Sequence, residues 1–299
     1  MTRTVRTRDG RRLAVAEHGD PNGAPVMLFH GTPGSRLGPV PRAMTLHATG
    51  VRLLTFDRPG FGDSDRLPDR AVSSVAADAA AVADALGLDR FAVLGRSGGG
   101  PHALACAALL PDRVTRAAAL VPLAPRDSMG ETWFAGMTPG NAESYRQALT
   151  DRAALRRALD DRAARIRADP ASLLATIDEG LEATDREVIR QANIRHELVR
   201  AYAASVSHSA DGWYDDALAL AAPWGFDPSD IPVPVYLWHG VEDRFSPISH
   251  TRWLGERIPH VTVDLEPRAS HFCALLRMPQ LIAWSGARVS WDAMVALSG

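Results

Sequence analysis

Six short apolar runs, separated by stretches long enough to hold helices, constrain this chain most. They are Pro25–Phe29, Val51–Phe56, Phe91–Leu94, Ala117–Val121, Val233–Trp238 and Val261–Leu265. Most are continuously apolar, as a strand must be when helices cover both faces of a parallel sheet. Helical patterns lie between several of them. Ser73–Leu86 opens on a capping serine and stops at Gly87, Pro101–Leu110 is rich in Ala and Leu, and Ser246-Pro247 places a capping residue before a proline. At the N-terminus, Val5–Arg8 and Leu13–Glu17 flank Asp9-Gly10, a two-residue hairpin signal. The alternation predicts an α/β fold: an open, mostly parallel, doubly wound sheet with right-handed crossovers.

The pattern breaks between Pro122 and Ile231. That stretch holds no strand signal and is rich in Ala, Arg, Asp and Leu at helical spacing, over Ala142–Arg167, Ala171–Leu181 and Asp185–Ser207. At roughly 100 residues it is too long for a loop. The expected organisation is one α/β core, residues 1–122 and 231–299, with a helical cap inserted over 123–230. The charge runs Arg152–Arg157 and Asp160–Arg167 read as its solvated face.

Charge and residue usage exclude several functions. The 33 basic residues are all arginine and face 35 acidic ones, for a net charge of −2. No footprint for nucleic acid or an anionic membrane follows from that balance. Without lysine there is no Schiff-base or Walker chemistry. Two cysteines, Cys106 and Cys273, cannot build a disulfide framework, and the Cys/His spacings of a zinc site are missing. Met1–Gly10 is polar, and no apolar run reaches the roughly 18 residues of a membrane span. The expectation is a soluble, cytoplasmic protein with a small-molecule substrate and no metal or cofactor. The sequence carries no signal for oligomeric state.

Gly95-Arg96-Ser97-Gly98-Gly99 fits G-x-S-x-G, and it stands where that motif requires, between the strand Phe91–Leu94 and a helix. A tight strand-to-helix turn holds the serine hydroxyl outward, and side chains at Gly95 and Gly99 would strike neighbouring backbone. A serine needs a base, and the base an orienting carboxylate. Asp243, after the strand Val233–Trp238, and His271, after Val261–Leu265, follow Ser97 in the expected order. Glu242 is the rival acid, one residue away. Acyl transfer also needs donors for an oxyanion. The Gly98 N–H is one, and the loop His30-Gly31-Thr32-Pro33-Gly34-Ser35 offers the Thr32 N–H as the second. His30 reads as a structural histidine bonding that loop.

Together with Asp57-Arg58-Pro59-Gly60-Phe61-Gly62-Asp63-Ser64 and His239-Gly240, these motifs resemble the α/β-hydrolase fold superfamily, in the branch with a helical cap after the sixth strand. The resemblance spans residues 30 to 271 and implies an eight-stranded sheet, with Asp57–Ser64 as a shaping turn behind the site. Ser97 departs from the aspartate of epoxide hydrolases and haloalkane dehalogenases. Thr32, Arg96 and Gly98 depart from the proline iminopeptidase pattern. The function expected is a cofactor-independent serine hydrolase of a carboxylic ester or related acyl bond, working through an acyl-enzyme. Ser97, Asp243 and His271 are its catalytic residues and Thr32 and Gly98 its oxyanion hole. Trp213, Tyr214 and Trp224 of the cap are expected to bind substrate. Carboxylates such as Glu143, Glu187 and Glu197 read as surface. The same scaffold also serves C–C bond hydrolysis, perhydrolysis, lyase or cyclase chemistry, aminopeptidases and non-enzymatic small-molecule receptors, and fold does not choose among them.

Overall fold

A computed structural model describes residues 2–287. Among these residues eight strands form one sheet: β1 (Thr2–Arg6), β2 (Arg12–Gly19), β3 (Ala24–Phe29), β4 (Val51–Phe56), β5 (Phe91–Arg96), β6 (Val114–Leu120), β7 (Val235–Gly240) and β8 (Val261–Glu266). Their spatial order is β1-β2-β4-β3-β5-β6-β7-β8. β1 and β2 form the hairpin signalled by Asp9-Gly10, and β2 also runs antiparallel to β4. Every pairing from β4 through β8 is parallel.

The twofold periodicity of a strand sends alternate side chains to opposite faces, and both faces are covered. Val26 and Leu28 of β3 pack with Leu94, Leu120 and the helix Ala274–Gly286. Met27 and Phe29 pack with Val93, Ala119 and the helices Val75–Ala85 and Gly99–Leu109. Burial on both sides explains why β5 is buried along its whole length. The edge strand β8 is half-exposed and alternates in polarity instead.

Between β6 and β7 the described residues form only helices: Arg126–Met129, Pro139–Thr150, Arg152–Ala168, Ser172–Ile177, Ala183–Arg190, Ala192–Ser205 and Asp211–Ala221, with short 3₁₀ turns between. Two long helical patterns are each divided. The pattern from Ala142 breaks at Asp151, whose extended backbone lets its Oδ1 accept the Ala154 N–H at 2.9 Å and start a new helix. The pattern from Asp185 breaks at Gln191. Asp211–Ala221 is buried almost all round, with Gly212 closely packed on the Gly60 backbone and its N–H donating to Gly60 O at 3.0 Å. Apolar side chains of this helical segment join the cores on both sheet faces. Among the described residues no helix is long and apolar enough to cross a membrane.

Candidate active site

Parallel pairing brings the C-terminal ends of β3, β5, β7 and β8 to one edge of the sheet, so the loops that follow them converge there. Ser97 sits between β5 and the helix Gly99–Leu109 with φ at 54°, a left-handed conformation uncommon for a side chain other than glycine. Its N–H donates to Leu120 O at 2.9 Å and its carbonyl accepts from Gly100 N at 2.8 Å, which holds the turn. The flanking glycines are required by space. A Cβ on Gly95 would lie 2.1 Å from Gly99 O, and one on Gly99 would lie 2.3 Å from Phe29 O.

His271 Nδ1 lies 2.7 Å from Asp243 Oδ2, with both side chains buried. The other Asp243 oxygen accepts the N–H groups of Phe245 at 2.7 Å and Ser246 at 3.1 Å. Burial alone would raise the Asp243 carboxyl. The neighbouring His271 and His239 outweigh it and hold the group well below the usual carboxylate range, so Asp243 is ionised at neutral pH. An ionised acceptor at Nδ1 takes its N–H and leaves the Nε2 lone pair free to act as a base. Glu242 is exposed, and its backbone N–H donates to Ala269 O at 2.9 Å. Asp243 is the carboxylate that meets His271.

Ser97 and His271 line one cavity of about 450 Å³, along with Thr32, Gly98, Tyr202 and Trp213. Thr32 and Gly98 are neighbours: a Cβ on Gly98 would come within 2.3 Å of Thr32 Oγ1. Among the described residues, the turns and loops give neither N–H a backbone acceptor. Of the three aromatics expected to bind substrate, Trp213 lines the cavity, whereas Tyr214 and Trp224 lie outside its wall. Tyr214 lies half-buried beneath the Arg156 guanidinium, and Trp224 stacks on Phe226 at 5.6 Å between centroids. Neither reaches the cavity, because the Asp211–Ala221 helix turns one face to it and Trp224 falls beyond that helix. Glu143, Glu187 and Glu197 also lie away from the wall.

His30 braces its loop. The Arg58 N–H donates to Nε2 at 3.2 Å and Nδ1 faces Gly31 O at 2.8 Å, while burial and Arg58 press the imidazole to its neutral form. The turn Asp57–Ser64 is braced too, since Asp57 accepts from Arg36 and from the Asp63 N–H, and Ser64 Oγ donates to Asp57 O at 2.6 Å.

Two carboxylates from the helical segment reach the site loops, and sequence reasoning did not single them out. Asp185 Oδ1 accepts the Phe272 N–H at 2.6 Å, and Thr184 Oγ1 lies 2.7 Å from Ser270 Oγ, so the loop that carries His271 is held on both sides. Asp216 accepts from Arg58 Nη2 and Thr32 Oγ1, each at 2.5 Å, and pairs with Arg70 Nη1 at 2.6 Å. All three charged groups are buried. Burial alone would raise Asp216, but Arg58 and Arg70 hold it well below the carboxylate range. The available signal was a pair of aspartates inside the Ala- and Leu-rich helix Asp211–Ala221. Asp216→Ala is expected to cost about 3–5 kcal/mol of stability, because it strands two buried guanidinium groups. Urea denaturation of the variant measures this; a loss under about 1 kcal/mol, the scale of an exposed pair, contradicts the reading.

The family model for the alpha/beta hydrolase fold matches residues 24–277, and this chain belongs to that family. The chain is 27% identical over 267 residues to 2-hydroxymuconate semialdehyde hydrolase of Pseudomonas putida, covering 88% of this chain and 85% of that one. It is 30% identical over 252 residues to pimeloyl-[acyl-carrier protein] methyl ester esterase of Chromobacterium violaceum, covering 83% and 87%. The esterase of Exiguobacterium antarcticum shares the fold at a TM-score of 0.66 and 19% identity, over 99% of each chain.

Proposed function

We propose that the protein is a serine hydrolase that cleaves a carboxylic ester, or a related acyl bond, of a small molecule through an acyl-enzyme on Ser97. One observation carries the reading: Asp243 holds His271 through Nδ1 while His271 and Ser97 share a cavity wall, with Ser97 on a left-handed turn. Ser97 Oγ attacks the substrate carbonyl as its proton passes to His271 Nε2. Asp243 stabilises the imidazolium, and the Thr32 and Gly98 N–H groups donate to the oxyanion. Collapse expels the alcohol, which takes the proton from His271. A water then attacks the acyl carbonyl by the same route, and the acid and free Ser97 are released.

The match to a semialdehyde hydrolase along most of its length favours hydrolysis of a bond other than a simple ester as a second reading of the same machinery. An aminopeptidase is less well supported, because among the described residues no Asp or Glu lines the cavity to receive an amine. A fluorophosphonate probe tests the proposal. One adduct per chain is expected, on the peptide that contains Ser97. A folded protein that resists the probe, or that is labelled elsewhere, overturns the assignment.

A further inference from the structure

Four arginines of the described chain are buried: Arg36, Arg58, Arg70 and Arg96. Three face carboxylates. Arg36 meets Asp57 and Asp63, and Arg58 and Arg70 meet Asp216. Arg96 is 7% exposed, and no described carboxylate lies within ion-pair distance of it. Its neighbours are Tyr202 and the ring of Phe272, whose centroid lies 5.8 Å from the guanidinium carbon. The carboxylates that feel its charge are engaged elsewhere, Asp243 with His271 and Asp185 with the Phe272 N–H. A buried cation without a counter-charge costs folding free energy, so its natural complement is an anion that arrives with a ligand.

Arg96 stands beside Ser97 in the chain and lines the same cavity. The rest of the wall points the same way. Its charged members are Arg96, Arg162 and Arg244, and among the described residues it contains no Asp or Glu. Arg162, half-buried on the helix Arg152–Ala168, donates only to Ser144 Oγ at 3.2 Å and has no described carboxylate partner. Arg244, at the exposed side, is 3.7 Å from Glu182. A cavity whose described charged groups are three guanidiniums, with no carboxylate among the described residues of its wall, favours an anion over a neutral or cationic ligand.

We propose that the substrate of this site carries a carboxylate beside its scissile acyl bond, and that Arg96 and Arg162 bind it. The proposal rests on reading Ser97 as the nucleophile of the cavity. The carboxylate belongs either to the acyl half or to the alcohol half, and guanidinium chemistry serves both.

Two ester pairs separate these sources. Mono(4-nitrophenyl) adipate against 4-nitrophenyl hexanoate places the charge on the acyl side. 4-Acetoxybenzoate against methyl 4-acetoxybenzoate places it on the alcohol side. The readout is the ratio of kcat/KM for the anionic ester to that for its neutral partner, compared between wild type, Arg96→Gln and Arg162→Gln, so that intrinsic ester reactivity cancels. A charge-assisted contact predicts that each substitution lowers this ratio by about 10- to 100-fold in one of the two pairs. The pair affected identifies the charged half. Ratios within about twofold of wild type in both pairs, for both variants, overturn the proposal. Arg162→Gln alone decides the matter where Arg96→Gln does not fold. A second readout needs no turnover: calorimetric binding of the same esters to Ser97→Ala, alone and combined with each arginine change. Loss of preference for the anionic ester on removing an arginine supports the proposal, and equal affinity for the two esters before any arginine is removed overturns it. Failure of the serine reading looks different, since wild type then turns over neither ester of either pair and takes up no fluorophosphonate.

Discussion

Replacing Ser97 with alanine is expected to lower kcat for ester hydrolysis by about 10⁶-fold, the loss seen when the nucleophile of a fully used triad is removed. The size follows from where the work is done. On the proposed mechanism Ser97 Oγ is the atom that forms the bond, and His271 and Asp243 act through it, so deletion of the hydroxyl would idle all three. The fold should tolerate the change. The Ser97 turn is held by main-chain hydrogen bonds to Leu120 and Gly100, and the close approaches at Gly95 and Gly99 are unaltered. Alanine is no better suited than serine to a φ of 54°, so a small loss of stability is expected and no more. Comparison of kcat with the melting temperature separates the two effects. A well-folded variant that keeps more than about one per cent of wild-type kcat contradicts the assignment, because no more than a residue of oxyanion stabilisation should survive.

The second large effect concerns Asp243→Asn, for which a fall in kcat of about 10⁴-fold is expected. Asparagine keeps an oxygen for the Phe245 and Ser246 N–H groups, so the turn after β7 can be retained. Its amide NH₂ would face His271 Nδ1, however, where a carboxylate now accepts. The imidazole must then place its proton on Nε2, and the nitrogen turned toward the cavity can no longer take one from Ser97. Glu242→Gln provides the contrast. Glu242 is exposed and apart from His271, so less than a tenfold change is expected. Steady-state kinetics on both variants checks the ranking, and the opposite order would move the acid to Glu242.

The features legible in the sequence are those with a local physical cause. Strands buried on both faces read as apolar runs, which is why β3 to β7 stand where runs such as Pro25–Phe29 and Phe91–Leu94 predict them. Gly95 and Gly99 are legible because backbone passes within a Cβ's reach of each. Between Glu242 and Asp243, a single residue of register leaves the sequence undecided, and only the path of the turn after β7 directs one side chain to His271 and the other to solvent. The helical segment between β6 and β7 was less legible. Trp213 and Tyr214 are adjacent on one helix, but a step of about 100° separates adjacent side chains, so one lines the cavity and the other meets Arg156. Asp216 and Thr32 are 184 residues apart, and Asp185 and Phe272 are 87 apart. Ion pairs and hydrogen bonds over such separations leave no periodicity to read. The same holds for Arg96, where a charge among buried residues becomes informative only once its surroundings show no counter-charge.

Those long-range contacts change the role of the helical segment. A cap that did no more than close a pocket would vary independently of the catalytic loops. Here Asp216 accepts directly from Thr32 Oγ1 and from Arg58, and Asp185 accepts from the backbone beside His271, so the segment positions both loops on which the proposed acyl transfer would depend. The proposed chemistry is more specific: Ser97 carries the acyl group between two half-reactions. Rapid acid quench of the protein during turnover of 4-nitrophenyl hexanoate, followed by peptide mass spectrometry, tests it directly. The mass of a hexanoyl group is expected on the peptide containing Ser97, present during turnover and gone when substrate is exhausted. Turnover at an undiminished rate with no acyl group on Ser97, or with the group on another side chain, would contradict it.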